Sequence, residues 1–99
     1  MKAGEIIRLI RTKQGISQRE MAEKAGISQN YLSLIEGNKK MPSNDVIADF
    51  SSALGISKEA FLFAISDIPS ELSERDRQDY QKLKDNIIYL LLFNIKKEN

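Results

Sequence analysis

Three polar residues stand close enough in the chain to form one hydrogen-bonding edge: Gln29, Asn30 and Ser33. Each amide carries a donor and an acceptor in one plane. That pattern donates to N7 of adenine and accepts from its N6 amino group, and a serine hydroxyl can reach either base type or a phosphate. Two cations, Lys39 and Lys40, follow a few residues later. Covalent chemistry has no comparable set. The chain has no Cys and no His, which excludes thiol nucleophiles, imidazole bases, disulfides and His/Cys metal centres. Carboxylates such as Glu20 and Glu23 fall in capping or solvated positions without a basic or metal partner, and there is no glycine-rich phosphate loop. The residues point to binding rather than to an enzyme, and no catalytic group, metal or cofactor is expected.

The elements that must hold this edge lie between Ser17 and Pro42. Ser17 and Glu20 have capping-box spacing and fix the start of a short helix with Met21, Ala22 and Ala25 on its apolar face. Gly26 ends that helix in the left-handed conformation that glycine adopts most cheaply. Ser28 caps the next helix, which buries Leu32 and Ile35 and leaves Gln29, Asn30 and Ser33 at its opening and outward side. Lys2 to Gln14 reads as a preceding helix with Ile6, Ile7 and Ile10 on one face, closed by Gly15. After Pro42, Ser43 caps a fourth helix carrying Val46, Ile47, Phe50, Ala53 and Leu54, and Gly55 stops it. Ser57 caps a fifth, from Lys58 to about Ile65, with Phe61, Leu62 and Ile65 inward.

Ninety-nine residues suffice for one modest domain. The net charge of +1 hides an asymmetry. Residues 1–40 carry eight Lys/Arg and four Glu, whereas residues 41–99 carry seven basic and ten acidic side chains. The basic half flanks the polar edge. The longest nearly unbroken apolar run, Ile87 to Phe93, is far short of the ~20 residues a membrane helix needs. A soluble, cytoplasmic protein without a membrane segment is expected.

Gln18, Ala22, Gly26, Ile27, Leu32 and Ile35 fall at spacings that resemble the helix-turn-helix of phage repressor and Cro proteins, the xenobiotic-response-element-like regulators. The resemblance spans Lys2 to about Ile65 and includes Arg11, Glu36, Pro42 and the run from Ala53 to Ser57. It implies an all-α fold: a five-helix repressor-type DNA-binding domain over residues 1–66, with residues 67–99 forming a linker and an added C-terminal helix. It also implies a buried ion pair between Arg11 and Glu36, a bidentate geometry to which a guanidinium is better suited than an ammonium. The implied function is a transcriptional repressor that reads the major groove of a palindromic operator with the helix starting at Gln29. Gln29, Asn30 and Ser33 would read bases, while Gln18, Ser28, Asn38, Lys39 and Lys40 would hold phosphates. The chain departs from its relatives after Glu36, where Gly37 comes one residue early and Asn38 takes the usual glycine place. Asn is the next best residue for a left-handed backbone.

Asp67 to Ser70 is the expected linker, because Pro69 cannot continue the fifth helix and Ser70 can cap a sixth. Leu72 to Lys97 then reads as one long helix whose second part is apolar almost all round. Leu83, Ile87, Ile88, Leu91, Leu92 and Ile95 form a stripe wider than one small domain covers, which points to a homodimer. Two alternatives stay open: the helix folds back on helices 1 and 5, or it captures another protein, as in an antitoxin-like or adaptor module.

Overall fold

Serine hydroxyls start most of the helices in the computed structural model, which describes residues 1–94. The order is α1 (Ala3–Lys13), α2 (Gln18–Ala25), α3 (Gln29–Glu36), α4 (Asn44–Leu54), α5 (Lys58–Ile65) and α6 (Glu74–Asn94). The hydroxyls of Ser17, Ser28, Ser43, Ser57 and Ser73 accept the backbone N–H three residues on, at 3.0, 3.0, 3.2, 3.1 and 3.1 Å. Such caps are each worth about 1 kcal/mol. The capping box at α2 is half formed: the Glu20 carboxylate lies 3.8 Å from Lys24 Nζ instead of turning back to Ser17. Among the described residues there is no strand, and no helix is long and apolar enough to cross a membrane.

The first five helices surround Ile6, Ile7 and Ile10 of α1, Met21 of α2, Leu32 and Ile35 of α3, Phe50 of α4 and Phe61 of α5, all buried. Ala22 and Ala25 are buried as well, and their small size lets α2 approach its neighbours. The Gln14 amide donates to the Leu54 carbonyl at 2.6 Å and so ties the end of α1 to the end of α4.

The start of α6 corrects the sequence expectation. It begins at Glu74 rather than Leu72, and Ser73 rather than Ser70 is the cap. Glu74 and Asp76 place carboxylates in the first turn, where they complement the exposed N–H groups.

α6 folds back on α5 and α1. Leu91 is buried in the core formed by the other helices, and Ile87, Ile88 and Leu92 are partly buried against it. The Tyr80 ring packs on Phe63 with centroids 5.1 Å apart, and its hydroxyl lies 3.3 Å from Ser66 Oγ. Lys84 is buried and donates its ammonium to the Ser66 carbonyl, placing a cation at the C-terminal end of α5. The stripe seen in the sequence therefore divides. One side completes the chain's own core, while Leu83, Tyr89, Leu90 and Phe93 face outward, each half or more exposed. Ile95 lies outside the described residues.

Candidate nucleic-acid interface

α3 has two sides with different duties. Leu32, Ile35 and Glu36 are buried, whereas Gln29, Asn30 and Ser33 are all exposed. None of the three side chains has a hydrogen-bond partner within the described residues, so their donors and acceptors face solvent.

The inner side is locked by ionic contacts. Arg11 Nε donates to Glu36 Oε2 at 2.6 Å and Nη2 to Oε1 at 3.0 Å, a bidentate pair with side chains 8% and 4% exposed. The remaining guanidinium nitrogen, Nη1, donates to the Ile16 carbonyl at 2.7 Å. Glu36 Oε1 also accepts from Gln18 Nε2 at 3.0 Å. One carboxylate thus joins α1, α2 and α3, and no buried side-chain polar atom among the described residues is left without a partner. The link from Gln18 to Glu36 is not visible in the sequence. It leaves Gln18 half-buried, with one amide proton committed inside the fold.

The loop after α3 has the left-handed turn expected of it: Asn38 has φ 62°. Its side chain does something the sequence did not disclose, accepting the Gly4 N–H at 2.9 Å and so capping the start of α1. Gly4 is needed there. A β-carbon would press on the Ile35 carbonyl and lie 2.6 Å from the Glu36 carbonyl oxygen. Lys39 and Lys40 stand exposed just beyond, and the Lys39 N–H is held by the Leu34 carbonyl at 2.8 Å. Ser28 is exposed at the opening of α3, its hydroxyl oxygen engaged as the cap.

Charge is distributed unevenly over this face. Arg19 lies 3.7 Å from Glu23 and Lys24 lies 3.8 Å from Glu20, so both cations of α2 have acid partners within their own helix. These pairs also correct the reading of Glu20 and Glu23 as lacking basic partners. They are exposed, one helical turn apart and of the kind worth a few tenths of a kcal/mol. Lys39 and Lys40 have no acid partner among the described residues. Arg8 was missed in the sequence. It stands one turn before Arg11, and together with Gln18, Ser33 and Gly37 it lines a polar cleft of about 440 Å³ between α1, α2 and α3.

The two helices α2 and α3, joined by the left-handed Gly26, pack on each other, and α1 packs against α3. The helix-turn-helix family profile matches residues 7–61, more than half of the chain. The chain belongs to the phage repressor and Cro-type helix-turn-helix family. It is 36% identical over 72 residues to an uncharacterized HTH-type transcriptional regulator of Mycobacterium tuberculosis, covering 72% of this chain and 51% of that protein. It is 30% identical over 90 residues to the immunity repressor protein of Bacillus phage phi105, covering 88% of this chain and 62% of the repressor. To the HTH-type transcriptional regulator SinR of Bacillus licheniformis it is 33% identical over 78 residues, covering 78% of this chain and 61% of that regulator. The chain thus spans between 51% and 62% of these relatives. No solved structure matches it.

Proposed function

We propose that this helix-turn-helix chain is a sequence-specific DNA-binding transcriptional repressor that inserts α3 in the major groove and acts as a dimer in the cytoplasm. The observation that carries this reading is the division of α3, with Gln29, Asn30 and Ser33 outward and unengaged while Arg11 and Glu36 hold the opposite side. A helix that reads base edges must be rigid, and its reading groups must be free of internal partners. Gln29 and Asn30 suit adenine, and Ser33 suits a base or a phosphate. Lys39, Lys40, Ser28, Gln18 and Asn38 surround the edge as phosphate contacts, the latter two through the amide protons left over from their internal bonds. Arg8 joins them at the cleft beside Ser33. The repressor named among the relatives supports the same reading.

The dimer is supported by the outward side of α6. Leu83 and Leu90 are 52% and 50% exposed. They lie two turns apart on one line of the helix, and Leu90 borders an apolar groove of about 300 Å³ shared with Ile56 and Ala60. A two-fold pair formed there would offer two copies of α3 to a palindrome, whose half-sites lie one DNA turn, ~34 Å, apart. The same exposed residues support the alternative of a protein-interaction module that captures a different chain. Selection of bound sequences from a random duplex pool decides between them. An enriched palindrome, with affinity falling steeply as salt rises, is the expected result; no enriched sequence overturns the repressor reading.

A further inference from the structure

Leu34 is the apolar residue of α3 that the core does not use. At about 100° per residue, it lies about 40° from Asn30 around the helix, on the side away from Leu32 and Glu36. It is half-buried, as is Tyr31, yet Tyr31 packs against the core and Leu34 is not among the side chains that do. It follows Ser33 and stands one turn after Asn30 in the last turn of α3, and its carbonyl receives the Lys39 N–H at 2.8 Å. A branched aliphatic group thus sits within an otherwise polar hydrogen-bonding edge.

In the major groove the apolar feature of a base edge is the 5-methyl of thymine, whereas cytosine presents an amino donor at the neighbouring position. We propose that Leu34 is a specificity-determining residue that packs on a thymine methyl, selecting thymine over cytosine at one position of each half-site. Asn30 and Ser33, both on one side of it, would supply hydrogen bonds to the adjacent base pairs. Cytosine is rejected because its N4 amino group would lose water against an aliphatic surface that offers no acceptor. This inference rests on α3 being the base-reading helix.

Deoxyuracil keeps the pairing and the O4 acceptor of thymine and lacks the methyl group. The selected duplex is therefore remade with each thymine replaced in turn by deoxyuracil, and the affinity of the full chain is measured for every member of the set. One thymine per half-site should show a loss of about four-fold, the worth of one buried methyl group. The Leu34→Ala chain should bind the parent duplex more weakly and show no further loss at that thymine, while Leu34→Met should keep the discrimination. Circular dichroism of the variants checks that α3 is intact. Specific binding in which every thymine can be replaced without cost overturns the inference and leaves the DNA-binding reading standing. The same penalty in Leu34→Ala also overturns it, since another residue would then be reading the methyl. If the pool yields no enriched duplex, the base-reading role of α3 fails, and that of Leu34 with it.

Discussion

Replacing Glu36 with alanine tests the anchor of α3. The substitution leaves Arg11 in place with a side chain 8% exposed and two of its three bonding nitrogens, Nε and Nη2, without an acceptor. Only the bond from Nη1 to the Ile16 carbonyl survives. Gln18 also loses its partner, but it is half-buried and can turn to water, so it adds little. Stranding a buried charge in this way costs about 3–5 kcal/mol. A domain of this size holds roughly 5–15 kcal/mol in total. Each kcal/mol moves the midpoint of thermal unfolding by about 4–8 °C, so Glu36→Ala should lower Tm by at least roughly 12 °C. Urea denaturation followed by circular dichroism gives the free energy directly. The deficit should persist at high salt, because ions screen a buried pair far less than an exposed one. The double change Arg11→Met with Glu36→Leu should recover much of the loss, since it removes both charges and refills the space. A cost below about 1 kcal/mol for Glu36→Ala, the range of an exposed pair, would refute the assignment.

Gln29→Ala and Asn30→Ala should each cost about 1–3 kcal/mol on the best duplex and relax preference at one base pair; unchanged affinity and preference in both would remove them from the reading edge. Lys39→Ala or Lys40→Ala should weaken all duplexes about equally and reduce the salt slope by about one unit, so a loss confined to the specific duplex would mean the lysine reads bases. Gly4→Ala should destabilise the fold by about 1–3 kcal/mol: overpacking against the Ile35 and Glu36 carbonyls outweighs the ~1 kcal/mol gain in helix propensity, and a rise in Tm would contradict this. Leu83→Glu combined with Leu90→Glu should give a monomer of unchanged helicity in sedimentation equilibrium. A dimer of undiminished strength would place the interface elsewhere.

The helices from α2 to α5 were legible because their ends are local chemistry. Ser17, Ser28, Ser43 and Ser57 precede them, and Gly26 and Gly55 end α2 and α4 with φ of 71° and 68°. The start of α6 was less legible because Ser70 and Ser73 are each followed by a glutamate, and it is the Ser73 hydroxyl that caps. A stripe that runs nearly round the helix left its packing open, with the fold-back on helices 1 and 5 one of the alternatives and the dimer preferred. Which residues are covered depends on where α5 and α1 lie, and one of the covered residues, Lys84, is charged. In the candidate interface, the exposure of Gln29, Asn30 and Ser33 was legible by register. Gly4, Asn38 and Gln18 gain their internal roles from distances between α1, α2 and the end of α3, which no local pattern records.

The two-sided construction of α3 has an evolutionary consequence. The residues that decide whether the helix stands firm, Leu32, Ile35 and Glu36, are different from those that face outward at Gln29, Asn30 and Ser33. Exposed positions without internal partners tolerate exchange at a cost of usually less than ~0.5 kcal/mol. Lineages carrying this scaffold can therefore change the outward residues one at a time while each intermediate stays folded, and a duplicated copy has many accessible routes away from its parent.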